Sequence, residues 1–285
     1  MAELIEELSM SHREKLYKRL RGVSSRLSEF SFANLYLFRN SHKYKFVDHD
    51  GCLRITGLTL DKKNFFLPLC EKSEPDIDFL KMLIETEGII YPVPEEWLPL
   101  FNPDEFLITH DENDSDYIYL TEKIASFAGR KLHSKRNLLK QFHEIHGGRG
   151  EPITKDNTDA AIKIVHEWSS SLSGESSADS AEAIEALNLF DELNLEGMIF
   201  FSDNNPIGYI LGEELTDDTH VLHFAKTVPG YKGSYQFIFN EYAKSLVDKC
   251  KYLNFEQDLG LQSLRQAKSS YNPEYMEKKY RISLK

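Results

Sequence analysis

MIFFSDNNPIGYILGEELTDDTHVLHFAKTVPGYKGSYQFIFNEYAKSLVDKCKYLNFEQ, Met198 to Gln257, decides the architecture. Three β-prone runs, MIFFS, IGYILGEEL and HVLHFAKTV, are separated by short turns rich in Asp, Asn and Pro, the pattern of sequential antiparallel strands. From about Ser234 to Lys249 the apolar spacing becomes helical, with Phe239, Tyr242, Ala243, Leu246 and Cys250 in register. YLNFEQ then reads as another strand. The order is β-β-β-α-β.

Working outward, the first half repeats that order. KYKFV and CLRIT flank Asp50-Gly51, a hairpin signal. NFFLPL, a helix from Pro75 to Glu87 and the apolar strand GIIYPV follow. An opening helix is expected from Glu3 to about Arg21, with Leu4, Ile5, Leu8, Leu16, Tyr17 and Leu20 at helical spacing, and Phe30 to Phe38 reads as helical. Tyr117 and Tyr119 read as a loop entering a helix. The fold class expected is α/β (α+β), a duplicated domain whose sheets are mixed, mostly antiparallel and flanked by helices. The boundary is placed at Gly147 to Pro152, where glycines and a proline separate helices, so the domains run 1–148 and 149–285. Ser169 to Ser180 reads as a surface loop, either a lid or a tolerated insertion.

Composition narrows the function. Hydrophobic residues make up 41% of 285 and charged ones 28%, as in a folded globular protein. No stretch approaches the roughly 18–20 apolar residues that span a bilayer, and the acidic start lacks the basic and apolar regions of a secretory signal. The three cysteines, Cys52, Cys70 and Cys250, are expected to be reduced in a cytoplasmic protein. No histidine pair has ligand spacing beside a helix carboxylate, so no metal is expected. A net charge of −12 opposes polyanions, so nucleic-acid binding requires a local basic patch.

Four segments are candidates for chemistry. PGYKGSYQ (Pro229 to Gln236) places two glycines before a helix, where unpaired N–H groups and the helix dipole favour an anion; it also reads as a plain turn. NFEQDLGLQSLRQAKSSYNP (Asn254 to Pro273) sets Glu256 and Asp258 beyond a strand end, with Arg265 and Lys268 on a following helix. Arg265 suits a phosphate or carboxylate clamp; the alternative is a structural ion-pair cluster. GRKLHSKRNLLKQF (Gly129 to Phe142) reverses the local charge and offers an anion site at Lys135 and Arg136, or a solvated face. YIYLTEKIASFAG carries no assignable chemistry. GxSxG, Walker and GxGxxG motifs are all absent. That fits direct transfer between two bound substrates.

FSFANLYLFRN (Phe30 to Asn40), GRKLHSKRNLLKQF, and HFAKTVPGYKGSYQFIFNEYA continuing to FEQDLGLQSLRQAKSSYNPEYMEKKY together resemble the C-terminal domain of phosphatidylglycerol lysyltransferases, across most of the chain. The resemblance implies two tandem GNAT-like domains akin to the Fem aminoacyltransferases. It implies aminoacyl transfer from a charged tRNA to an amine or hydroxyl, with no covalent intermediate and no tightly bound cofactor. Carried onto this sequence, the C-terminal half holds the donor, with Lys226, Gly230, Gly233, Asp258, Arg265, Lys268 and Tyr271 near the site. Separately from the resemblance, Glu256 or Asp258 is the candidate for any general base the transfer needs. The partners implied are the tRNA acceptor end and a small-molecule, lipid head-group or peptide acceptor. Arg130 to Lys140 and Lys278, Lys279, Arg281 and Lys285 would supply a basic track. Two other readings remain: a CoA-dependent N-acetyltransferase with acyl-CoA as donor, and a non-catalytic binding protein on a duplicated transferase fold.

Overall fold

The computed structural model describes residues 3–69, 76–171 and 179–285. These form two compact units. The first comprises Met1–Asp116, Gln257–Leu261 and Glu277–Lys285; the second comprises Tyr117–Glu256 and Gln262–Met276.

In the first unit, β1 (Leu4–Glu7) precedes helices α1 (Arg13–Gly22), α2 (Phe32–Leu37) and α3 (Arg39–His42). Strands β2 (Lys45–His49), β3 (Cys52–Leu58) and β4 (Asn64–Leu69) form an antiparallel meander. Helix α4 (Ile77–Glu87) then returns the chain to β5 (Ile89–Val93), which lies parallel to β4. Asp76 caps α4 by accepting from the N–H groups of Asp78 and Phe79. Strand β6 (Phe106–His110) is the far edge.

The second unit begins with β7 (Asp116–Leu120), α5 (Thr121–Ser126), α6 (His133–Ile145), β8 (Arg149–Pro152), α7 (Thr158–Ser170) and α8 (Ser180–Asn188). Strands β9 (Glu196–Ser202), β10 (Asn205–Thr216) and β11 (Thr219–Thr227) form its meander. Helix α9 (Ser234–Leu246), β12 (Tyr252–Asn254), α10 (Gln262–Ser269) and β13 (Tyr275–Glu277) complete it. The last strand, β14 (Tyr280–Leu284), belongs to the first unit.

The first sheet runs β1-β2-β3-β4-β5-β14-β6 and the second β13-β7-β12-β11-β10-β9-β8. Insertion of β14 between β5 and β6 closes the first core, where Tyr280 and Ile282 pack with Phe66, Leu83, Ile90 and Phe106.

Both β-β-β-α-β runs form as expected, but several boundaries move. Leu4–Glu7 pairs with β2 as an edge strand instead of opening a helix. Leu4 and Ile5 are exposed there, so no apolar face requires a helix; the helix starts at Arg13 and buries Leu16 and Leu20. Tyr117 and Tyr119 lie on strand β7, buried among its neighbours, not in a loop.

The units divide at Asp116, not at Gly147 to Pro152, most of which becomes edge strand β8 against β9. The reason is packing: Asn240 of α9 donates to the carbonyls of Ile124 and Ala125, and Phe142 of α6 stacks on Phe237 of α9 at 4.5 Å. Helices α5 and α6 are thereby tied to the second unit.

Cys52 is disulfide-bonded, against the expectation of reduced thiols, while Cys250 is buried and free. Cys70, Pro75 and most of the Ser169 to Ser180 segment lie outside the described residues. No described helix is long and apolar enough to cross a membrane.

Candidate functional site

The central strand of the second unit, β11, pairs with β10 along its whole length. Its parallel partner β12 accompanies it only from Thr219 to Val221, opposite Tyr252 to Asn254. Beyond that point the two strands part. The pairing with β10 slips between Leu211 and Gly212, leaving His223 as the extra residue of a bulge. Bulges re-aim side chains and recur beside active sites.

His223 lies in the opening. Its Nδ1 is 2.8 Å from Glu256 Oε1 and its Nε2 is 3.0 Å from Glu213 Oε1. Two carboxylate acceptors require both ring nitrogens to donate, so the ring is an imidazolium. Burial lowers its pKa, but the hydrogen bonds and charges of Glu213 and Glu256 prevail and push it up to about 10. Nearby His220 behaves oppositely. Burial, with the charges of His223 and Lys249, lowers it to about 3, and its Nε2 meets the Tyr242 hydroxyl at 2.8 Å.

Glu256 follows β12 with a φ of 57°. Its backbone N–H donates to Asn254 Oδ1 at 2.6 Å. Its carbonyl accepts from the Tyr117 N–H and from Lys268 Nζ, both at 3.2 Å, and the Phe255 carbonyl accepts from Lys268 at 2.7 Å. Lys268 therefore ties down the strand end. Arg265 lies half-buried on the same helix, α10.

At the other end of β11, Lys226 is 6% exposed. Its Nζ lies 2.5 Å from Asp179 Oδ2 and 3.8 Å from the Trp168 ring centroid. Burial lowers its pKa and Asp179 partly restores it. The chain then turns through Gly230 and Gly233, with φ of 96° and 89°, and Gly233 caps α9. A Cβ on Gly233 would stand 2.5 Å from the Leu138 carbonyl, so close approach as well as φ demands glycine there. Pro229 of this turn and Lys163, His166, Glu167, Ser170 and Ser171 of α7 and its C-terminus line an open cleft of about 530 Å³.

A third cluster lies behind α9. Gln236 donates to the buried Tyr271 hydroxyl at 2.7 Å; burial raises that phenol's pKa. Lys135 Nζ sits 4.0 Å over the Tyr271 ring and 2.6 Å from Ser270 Oγ, and burial lowers its pKa.

The expected residues thus separate. Lys226 joins Gly230 and Gly233; Glu256 joins Lys268; Lys135 joins Tyr271. Asp258 is buried in the first unit, accepting from the Gly260 N–H at 2.9 Å. Arg136 donates to the carbonyls of Phe127 and Gly129, fixing the turn after α5. The basic track shrinks too. Lys279 is buried against Glu29 and Asp116, and Arg281 pairs with Asp61 and Asp114. Among the described residues no group of three His, Cys, Asp or Glu side chains could hold a metal.

The residue-by-residue reading missed His223, Glu213, Asp179 and Trp168. One signal was present: charged Glu213 and His223 sit in the middle of strand runs that otherwise read as core.

The comparisons agree with this architecture. A conserved protein of unknown function from Bacteroides thetaiotaomicron is 24% identical, with a TM-score of 0.86 and full coverage of both chains. L-PGS from Bacillus licheniformis superposes with a TM-score of 0.63 at 14% identity, covering 95% of this chain and 91% of that one. FemX superposes with a TM-score of 0.57 at 9% identity, covering 100% and 98%. The chain therefore shares its fold, two mixed sheets flanked by helices, with L-PGS and FemX. The sequence profile of the phosphatidylglycerol lysyltransferase C-terminal domain matches residues 20–283, and the chain belongs to that family.

Proposed function

We propose that this protein moves an aminoacyl group from an aminoacyl-tRNA to an amine or hydroxyl acceptor, without a covalent intermediate. The observation that carries the reading is the parting of β11 from β12, with the Gly230–Gly233 turn and the α9 N-terminus at the end of the same strand. An extended donor lies along the freed side of β11, whose backbone N–H groups stabilise the oxyanion of the attacked carbonyl. The glycine turn approaches the donor's phosphate closely.

Glu256, oriented by the His223 imidazolium, is the carboxylate that aligns the acceptor amine. Arg265 anchors a donor phosphate or an acceptor carboxylate. Asp258 orders the turn after Glu256 by holding the Gly260 N–H. Lys268 and Tyr271 position these elements. The acceptor is a small molecule, a lipid head group or a peptide.

Thermal stability with uncharged tRNA, a non-hydrolysable aminoacyl-adenosine and acetyl-CoA tests the reading. A ligand at a hundred times its Kd adds about 2.7 kcal/mol, a shift of several degrees. A rise with tRNA or the aminoacyl analogue supports it. A rise with acetyl-CoA alone moves the protein to the acetyltransferases, and no rise with any of them leaves a non-catalytic binding protein.

A further inference from the structure

Glu256 opens a strained stretch of chain. Its φ of 57° is followed by 57° at Leu259 and 72° at Gly260, so two of these three left-handed residues carry a Cβ. Non-glycine residues keep such angles where their surroundings over-determine them. Within the second unit the Glu256 peptide is bonded by Asn254, Tyr117 and Lys268. Beyond those bonds, the neighbouring residues are held by one buried ammonium.

That ammonium is Lys279, which directly precedes β14 and is fully buried. Its three N–H donors go to Gln257 Oε1 at 2.5 Å, Glu29 Oε1 at 2.8 Å and Ser28 Oγ at 3.2 Å, and Asp116 Oδ1 lies 2.7 Å away. Two of these partners flank the site in sequence. Gln257 is the residue after Glu256. Asp116 is the residue before Tyr117, whose N–H donates to the Glu256 carbonyl and whose own carbonyl accepts from the Phe255 N–H. The Ser28 N–H fixes the other Asp116 oxygen at 2.8 Å. Lys279 thus acts on Glu256 along both chain segments that meet there. The Gln257 amide brings no charge to balance the lysine; its bond acts on the peptide next to Glu256.

We propose that Lys279 is a positioning residue: by holding Gln257 and Asp116 it fixes the backbone beside Glu256 and sets that carboxylate against the His223 ring. The inference rests on the part given to Glu256 in the transfer reading, and it assigns the last segment of the chain a task in that site.

The test is 15N-histidine NMR of the full chain, titrated from pH 7 to 11, on wild type, Gln257→Met, Asp116→Asn and Glu29→Gln. In wild type, Glu213 and Glu256 push His223 up to about 10. Gln257→Met keeps the volume and removes the acceptor. It should bind the His223 proton at least about tenfold more weakly, because a displaced Glu256 takes away one of two opposite charges. Asp116→Asn should shift it the same way, and decides the matter if Gln257→Met does not fold. Glu29→Gln loosens Lys279 without touching Gln257 or Asp116, and should leave His223 as in wild type. An unchanged titration in the folded Gln257→Met and Asp116→Asn proteins overturns the proposal. So does an equal shift in Glu29→Gln, which would make the cluster a support of the fold alone. Transfer is read separately: Gln257→Met should lower kcat and leave the donor's KM unchanged, and a change confined to KM overturns the proposal. Wild type that transfers no aminoacyl group refutes the transfer reading and not the positioning, which the histidine titration decides alone.

Discussion

His223 and Glu256, 33 residues apart in the chain, meet at 2.8 Å between Nδ1 and Oε1 where β11 and β12 part. Glu213 holds the other ring nitrogen at 3.0 Å, so one buried imidazolium joins two strands and the second residue past a third. Buried charges are tolerated when paired and hydrogen-bonded; removing one partner strands the rest.

His223→Asn should therefore destabilise the protein by about 3–5 kcal/mol near neutral pH. The sign of the pH dependence follows from the shift, from 6.5 to about 10. A group whose folded pKa is raised stabilises fully below its unfolded pKa and loses that contribution as pH rises through the folded one. Urea unfolding at pH 6, 8 and 10 should show the gap between wild type and His223→Asn shrinking across that range. A gap constant with pH would mean that the ring is not an imidazolium.

In the first unit, Lys279 is fully buried between Glu29 at 2.8 Å and Asp116 at 2.7 Å. Burial raises Glu29 to about 7 despite the lysine. Lys279→Met should cost about 3–5 kcal/mol by leaving two carboxylates without a cation. Adding Glu29→Gln should recover part of that loss. Thermal unfolding of the two single variants and the double variant measures the coupling, and strict additivity would refute it.

Gly230 and Gly233 share a left-handed backbone but not their surroundings. At Gly230 a Cβ meets nothing within 4 Å, and Gly230→Ala should cost only the conformational strain, about 1–2 kcal/mol. At Gly233 the Cβ also meets the Leu138 carbonyl at 2.5 Å and Phe142 at 3.1 Å. Gly233→Ala should cost about 2–4 kcal/mol in denaturant unfolding. Equal losses would place the Gly233 constraint in φ alone.

Arg265 and Lys268, three residues apart on α10, should separate by phenotype. Lys268 bonds two backbone carbonyls, so Lys268→Met should lose about 1–3 kcal/mol of stability. Arg265→Ala should still fold and lose transfer. A folded Arg265→Ala protein with normal transfer would remove Arg265 from the proposed site.

Much of the fold was legible because its signals are local. The β-prone runs either side of Asp50-Gly51, helical spacing from Phe79 to Ile84, and the Gly230–Gly233 turn act over a few residues, and each formed as read. The opening segment misled because Leu4, Ile5 and Leu8 fit a helix equally well until β2 offers a backbone to pair with. The site was half legible. Lys226, Gly230 and Gly233 fall together because they are neighbours in the chain.

By itself, then, the sequence determined two β-β-β-α-β runs, the glycine turn before α9 and the family. Only the tertiary structure decided that Glu256 meets His223, that Lys226 lies on Trp168 beside Asp179, that Lys268 and Arg136 hold backbone carbonyls, and that the last strand completes the first sheet. The physical reason is range. Periodicity and turn chemistry act between residues a few positions apart, whereas charge pairing, burial and the choice of a strand partner depend on segments tens to hundreds of residues away.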